Sequence, residues 1–265
     1  MRPSGFVRVE NNLGKLGASF LDASHVIGGL AVLFVQIMGR SVRLDLDGRE
    51  VFLNMHKMGV KSLPIVVTTA LFVGGIMVIQ AAPVVEQFGA QGLLGWGAGF
   101  GILREVGPLL TALMISGRVG ANNTAELGTM VVTEQVDALR ALAINPTSFL
   151  IAPRFIAIVT TLVVSTVFAN FLALVGAAYS GWLLLGVEPI SFYNGVTGGL
   201  LDLGDVFHGL LKSGFFGVII ALSSCHFGLA TSGGAPGVGR AVNAAVVVSA
   251  AGIFLFDYLM SFALG

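Results

Sequence analysis

The sequence predicts an all-α integral membrane protein: an N-terminal interfacial or re-entrant helical segment followed by five transmembrane helices, N-terminus inside and C-terminus outside. Three observations predict it. Of 265 residues, 55% are hydrophobic and only 11% charged, with a mean hydropathy of +0.91, more apolar than a soluble domain of this length needs. Uncharged runs of the ~20 residues that a helical span requires recur along the chain. Lys and Arg gather on one side of those runs.

The elements follow in order. Phe6, Val9, Leu13, Leu16 and Phe20 recur at helical spacing, with Arg8, Glu10, Lys15 and Asp22 off that face, the pattern of a helix lying in the membrane interface. The short apolar stretch 23–39, broken by Gly28-Gly29, either rests on the inner leaflet with it or forms a sixth span. Residues 1–61 are thus read as an inner-side interfacial or re-entrant segment and 62–265 as the transmembrane domain. The five spans are expected at Ser62–Val85, Gln87–Gly117, Phe155–Val187, Lys212 to about Thr231, and Ala241 to about Phe262. Pro64 is expected in the first turn of the first span and Pro83 at its end, where proline is tolerated or stops a helix.

Orientation comes from the 14 Lys and Arg. All but Arg104 and Lys212 fall before the first span or in the loops after the second and fourth, which makes that side cytoplasmic. A sixth span would put Arg2, Arg8 and Lys15 outside. The charge total is zero, so no excess argues for nucleic acid. The beginning of the chain does not read as a cleaved signal peptide. Cys225 is the single cysteine and reads as a buried inert thiol.

Arg104 and Lys212 break the pattern. Arg104 and Glu105 in the second span, Lys212 at the start of the fourth and Asp257 in the fifth are expected at similar depth. Each unpaired charge there costs ~2.5–3.5 kcal/mol, so the four are expected to cluster. The cluster reads as a polar patch that receives a charged headgroup, as a structural ion-pair set, or as a proton relay. Pro108 removes a backbone donor and is expected to kink the second span beside it, which opens a cavity or serves packing alone. Gly74 and Met77 are candidates for the wall of an apolar cavity.

Between the second and third spans the sequence predicts a short amphipathic helix at about 133–145. Thr133 is its expected N-cap, Glu134 and Asp137 lie in its first turns, and Asn145-Pro146 stops it. Val136, Leu139, Leu142 and Ala143 form its apolar face. It is either the element a cytoplasmic motor grips, through Glu134, Asp137, Leu139 and Arg140, or an interfacial helix without a partner.

The run Leu103-Arg-Glu-Val-Gly-Pro-Leu-Leu-Thr-Ala-Leu-Met-Ile-Ser-Gly-Arg-Val-Gly120, with Ala125-Glu-Leu-Gly-Thr-Met130, Thr133-Glu-Gln-Val-Asp-Ala-Leu139, Asn145-Pro146 and Gly59-Val-Lys-Ser-Leu-Pro-Ile65, closely resembles the signature of MlaE-type permeases. Asn122-Asn123 departs from it, standing where that family has small apolar residues. The resemblance implies a homodimeric permease of an ABC phospholipid transporter that maintains outer-membrane lipid asymmetry. It places the chain in the bacterial inner membrane, with a periplasmic C-terminus. The partners it implies are a cytoplasmic ATPase dimer gripping the 133–145 helix, a STAS-domain subunit in many members, and a periplasmic ring of MCE-domain subunits. ATP and magnesium would then be held by the partner ATPase, with no cofactor in this chain.

The residues agree with a nonenzymatic subunit. Gly234-Ala-Pro-Gly-Val-Gly-Arg-Ala241 has Arg where a phosphate loop needs Lys, and Ala where Ser or Thr holds magnesium. His25, His56, His208 and His226 are too scattered for a metal site, and no nucleophile elbow is present. Two other classes compete with a permease. An ion-driven secondary transporter would use Glu105 and Asp257 as coupling sites but expects an internal repeat; the other is a noncatalytic membrane anchor of a periplasmic complex.

Overall fold

The computed structural model describes residues 21, 24–39 and 48–264, and the regular structure of these residues is entirely helical. The chain divides into two compact units, 1–45 and 46–265. In the first, α1 (Ser24–Gly39) is apolar but shorter than the ~20 residues of a span. The amphipathic pattern from Phe6 to Asp22 lies outside the described residues.

The second unit holds five helices long and apolar enough to cross a membrane: α2 (Gly48–Phe88), α3 (Gln91–Val132), α5 (Thr147–Leu185), α7 (Leu203–Leu229) and the helix Gly234–Ala263, which continues to Leu264 as α8. Two short helices join them, α4 (Gln135–Ala141) after α3 and α6 (Pro189–Thr197) after α5. The five expected spans are all present, and the bundle is held by close backbone approach. A Cβ on Gly74 would lie 1.8 Å from the Ala173 carbonyl oxygen, and one on Gly176 would lie 2.1 Å from that of Leu71. The two glycines let α2 and α5 meet along one seam, which matters in a bilayer because dispersion contacts, not apolar burial, hold helices together there.

Several boundaries differ from the expectation. α2 begins at Gly48 rather than Ser62, so Pro64 lies well inside it. The hydroxyls of Ser62 and Thr68 donate to the Met58 and Pro64 carbonyl oxygens at 2.7 and 2.8 Å, side-chain bonds that accompany the turns around the proline. α3 runs past Gly117 to Val132, because Arg118 rides on a π-helical turn, Ser116–Gly120, and Glu126 is matched by cations of neighbouring helices. α7 starts at Leu203, nine residues before Lys212, through a reciprocal capping box between Asp202 and Asp205. α8 starts at Gly234, so the glycine-rich run 234–241 forms its opening turns.

Thr133 is not an N-cap. It closes α3, its hydroxyl donating to the Thr129 carbonyl oxygen at 2.8 Å, and the chain reverses at Glu134, whose φ is +61°. Its oxygen accepts from the Gln135 side-chain amide at 3.0 Å rather than from a backbone N–H, and Glu134 takes the position before the helix that follows. α4 ends at Ala141, and Ala143, with φ +59°, lies beyond it rather than on its apolar face. Asn145 opens the next helix: its Oδ1 accepts the Thr147 backbone N–H at 2.9 Å.

Candidate functional site: two charged networks in one bundle

Three of the four charges expected to cluster do so. Lys212, only 1% exposed, places its ammonium 2.5 Å from Glu105 Oε2 on α3 and 3.3 Å from Asp257 Oδ1 on α8. It also donates to Ser261 Oγ at 2.7 Å, and Ser261 donates to the Asp257 carbonyl oxygen at 2.8 Å. Lys212 lies nine residues into α7, roughly 13 Å from its start at 1.5 Å per residue. Two carboxylates and a hydroxyl therefore surround a cation inside the bundle, the arrangement that makes its burial tolerable. The Glu105 side chain keeps 37% of its surface exposed, so the trio is sealed on the Lys212 side and open on the Glu105 side.

Arg104 does not join this group. Its guanidinium pairs with Asp205 Oδ1 at 3.4 Å and lies 5.3 Å from the centre of the Phe100 ring. Successive helical residues point in different directions, so Arg104 and Glu105 serve two neighbouring pairs rather than one cluster. Both are carried by a π-helical turn, Ile102–Val106, just before Pro108. A Cβ on Gly209 of α7 would lie 2.0 Å from the Leu103 carbonyl oxygen, so α7 packs closely onto the widened turn.

Gly74 lies in the α2–α5 seam, and the Met77 methyl reaches α3 near Gly101. A cavity of about 20 Å³ lies nearby between α2, α3 and α5, lined by Val66, Val73, Leu110 and Met114 among others.

A second network, which the spacing of charges along the chain does not predict, ties four helices together at the α4 end of the bundle. Arg154 of α5 donates to Asn123 Oδ1 at 3.0 Å and approaches Glu126 Oε2 at 3.4 Å. Asn123 donates in turn to Ser224 Oγ of α7 at 2.9 Å. Glu126 also accepts from Asn122 at 2.8 Å and from Lys57 of α2. The departure at Asn122-Asn123 is thus a pair of ligands for Glu126 and Arg154. The one signal in the sequence was that departure itself, two amides where small apolar residues were expected.

Beyond this network stands α4. Val136 is buried and Leu139 half-buried, while Glu134, Asp137 and Arg140 are exposed. Asp137 and Arg140 form an (i, i+3) pair at 2.8 Å, and Leu142 just past the helix is 71% exposed. Among the described residues no three His, Cys, Asp or Glu converge as a metal site.

Residues 51–263 match the family described as Permease MlaE. A probable ABC transporter permease protein of Synechocystis sp. is 39% identical over 216 residues, covering 82% of each chain. One of Rickettsia felis is 33% identical over 259 residues, covering 96% of this chain and 97% of its own. Protein TRIGALACTOSYLDIACYLGLYCEROL 1, chloroplastic, of Arabidopsis thaliana is 32% identical over 241 residues, covering 90% of this chain and 69% of its own. With five apolar helices in one chain, this is a multi-pass membrane protein, and it belongs to the MlaE permease family.

Proposed function

We propose that the chain is the permease subunit of an ABC-type phospholipid transporter in the bacterial inner membrane, N-terminus cytoplasmic and C-terminus periplasmic, serving outer-membrane lipid asymmetry. The observation that carries the coupling half of the reading is α4. It is a short helix of charged and apolar surface at one end of the bundle, flanked in the chain by Glu126 and Arg154, which with Lys57 of α2 form one network. A cytoplasmic ATPase dimer gripping Glu134, Asp137, Leu139 and Arg140 would act on a rigid element, and that network would pass the push to α2, α3, α5 and α7. Family membership and the ABC permease names of the relatives support the same assignment.

The lipid cargo is supported by the Arabidopsis relative, whose name is that of a glycerolipid, and by the geometry of a single copy. Among the described residues the apolar cavity between α2, α3 and α5, about 20 Å³, has room for about one water molecule, and a second copy would supply further space for an acyl chain. We therefore take the working unit to be a homodimer. In it the open side of Glu105, with Lys212 and Asp257 behind it and the Arg104–Asp205 pair beside it, would meet the headgroup. A periplasmic MCE-domain ring and, on the ATPase, a STAS-domain subunit complete the assembly, with ATP and magnesium held by the ATPase.

The test is co-purification of the chain expressed with its neighbouring genes, comparing the unaltered protein with Asp137→Lys plus Leu139→Asp. The reading expects an ATPase and phospholipid with the unaltered chain, and loss of the ATPase alone in the variant. An ATPase retained by the variant would remove α4 from the coupling role.

A further inference from the structure

We infer that the chain carries a phosphate-binding site at the α4 end of the bundle, in a cavity between α2 and α3, apart from the Lys212 cluster. The cavity is about 350 Å³ and is lined by Lys57, Lys61, Arg118, Asn122 and Glu126 with the apolar Met58 and Val119. Three cations thus face one carboxylate. That carboxylate is already engaged, by Lys57, by Asn122 at 2.8 Å and by Arg154 at 3.4 Å. Lys61 and Arg118 have no acidic partner among the described residues and leave the cavity with two unmatched positive charges.

The placement fixes the class of ligand. The uncharged run of α2 begins at Ser62, next to Lys61, and the uncharged run 106–117 of α3 ends next to Arg118. The cavity therefore stands where apolar helix surface gives way to polar surface, the level at which lipid phosphates lie. Arg118 sits on the π-helical turn Ser116–Gly120, a local irregularity of the kind often found at functional sites. An ammonium and a guanidinium converging on one space suit a phosphate, the guanidinium with two parallel donors and the ammonium as a compact charge. The same chemistry fits an anionic phospholipid headgroup or free inorganic phosphate. The site does not depend on the chain moving lipid, and a complex that transports nothing would still show it.

The experiment is native mass spectrometry of the full chain in mixed micelles, titrated with phosphatidylglycerol, with phosphatidylcholine and with inorganic phosphate. Unaltered protein is compared with Lys61→Gln plus Arg118→Gln and with the charge-preserving Lys61→Arg plus Arg118→Lys. The expected result is retention of phosphatidylglycerol over phosphatidylcholine by about tenfold, lost in the Gln pair and kept in the charge-preserving pair. Binding of inorganic phosphate that displaces phosphatidylglycerol, and is lost in the Gln pair, would assign the site to the free ion. Equal lipid preference and equal phosphate binding in the unaltered and Gln-pair proteins would overturn the site. Lys61 and Arg118 are both exposed, and each single Gln variant is expected to lose part of the preference, so the test stands even if the double variant folds poorly.

Discussion

Lys212 on α7 and Glu105 on α3 meet at 2.5 Å, with the lysine 1% exposed and the glutamate 37% exposed. The pair is asymmetric, because the cation is committed to the interior while its partner keeps a face open. Removing the cation should therefore cost far more than removing the exposed anion. Lys212→Met leaves Glu105 and Asp257 facing each other without a counter-charge and is expected to destabilise the fold by about 3–5 kcal/mol. Adding Glu105→Gln and Asp257→Asn should recover most of the loss in melting temperature. A triple variant no more stable than Lys212→Met would contradict the ion-pair account.

Arg104 and Asp205 form a separate pair at 3.4 Å. Asp205 also accepts the Asp202 backbone N–H at 3.1 Å in the capping box of α7. Asp205→Asn is expected to lose about 1 kcal/mol through the cap and the pair together. In a double-mutant cycle by thermal melting, Arg104 should couple to Asp205 and remain additive with Lys212 within ~0.5 kcal/mol. Strong coupling of Arg104 to Lys212 would restore the single four-charge cluster.

Asn123 is fully buried and bonded to both Ser224 and Arg154, whereas Asn122 is exposed. Asn123→Ala removes the donor to the Ser224 hydroxyl, which keeps its bond to the Ala221 carbonyl oxygen, and the acceptor of part of the Arg154 guanidinium, and should cost about 1–3 kcal/mol. Asn122→Ala should stay within about 0.5 kcal/mol. Thermal unfolding of the two purified variants separates them, and equal melting temperatures would deny Asn123 its bridging role.

The α2–α5 seam gives a steric test. Gly74→Ala places a methyl 1.8 Å from the Ala173 carbonyl oxygen, while a methyl on Gly97 of α3 meets nothing within 4 Å. Gly74→Ala is expected to force the helices apart at a cost of about 1–3 kcal/mol, and Gly97→Ala to be neutral or slightly stabilising. Comparable folded yields and melting temperatures for the two would show that the seam yields easily.

The number of spans was legible because an uncharged run is a direct consequence of the bilayer: nothing else in the chain needs ~20 such residues together. The helix ends were less legible for the same reason. Uncharged runs stop at Lys61, at Gly117 and at Lys212, yet each helix continues: Lys61 and Arg118 are exposed where the bundle turns polar, and the charges beyond them find partners on neighbouring helices. Lys57 meets Glu126 on another helix, Arg104 meets Asp205 on α7, and Asp205 is the residue that lets α7 begin at Leu203. Depth matching foresaw the meeting of Lys212, Glu105 and Asp257. The separation of Arg104 from them could not be foreseen without the azimuth of each helix, which the π-helical turn at Ile102–Val106 resets. Glu126 and Arg154 fall between the expected second and third spans, and their joining of α3 to α5 follows only from the packed bundle.

The most direct test of the central claim is movement of a labelled phospholipid between donor vesicles carrying the reconstituted complex and acceptor vesicles, measured with ATP, without ATP, and with an ion gradient in place of ATP. The account predicts lipid movement that requires ATP and fails when α4 carries Asp137→Lys plus Leu139→Asp. Movement driven by the ion gradient without ATP would instead make Glu105 and Asp257 the coupling sites of a secondary transporter.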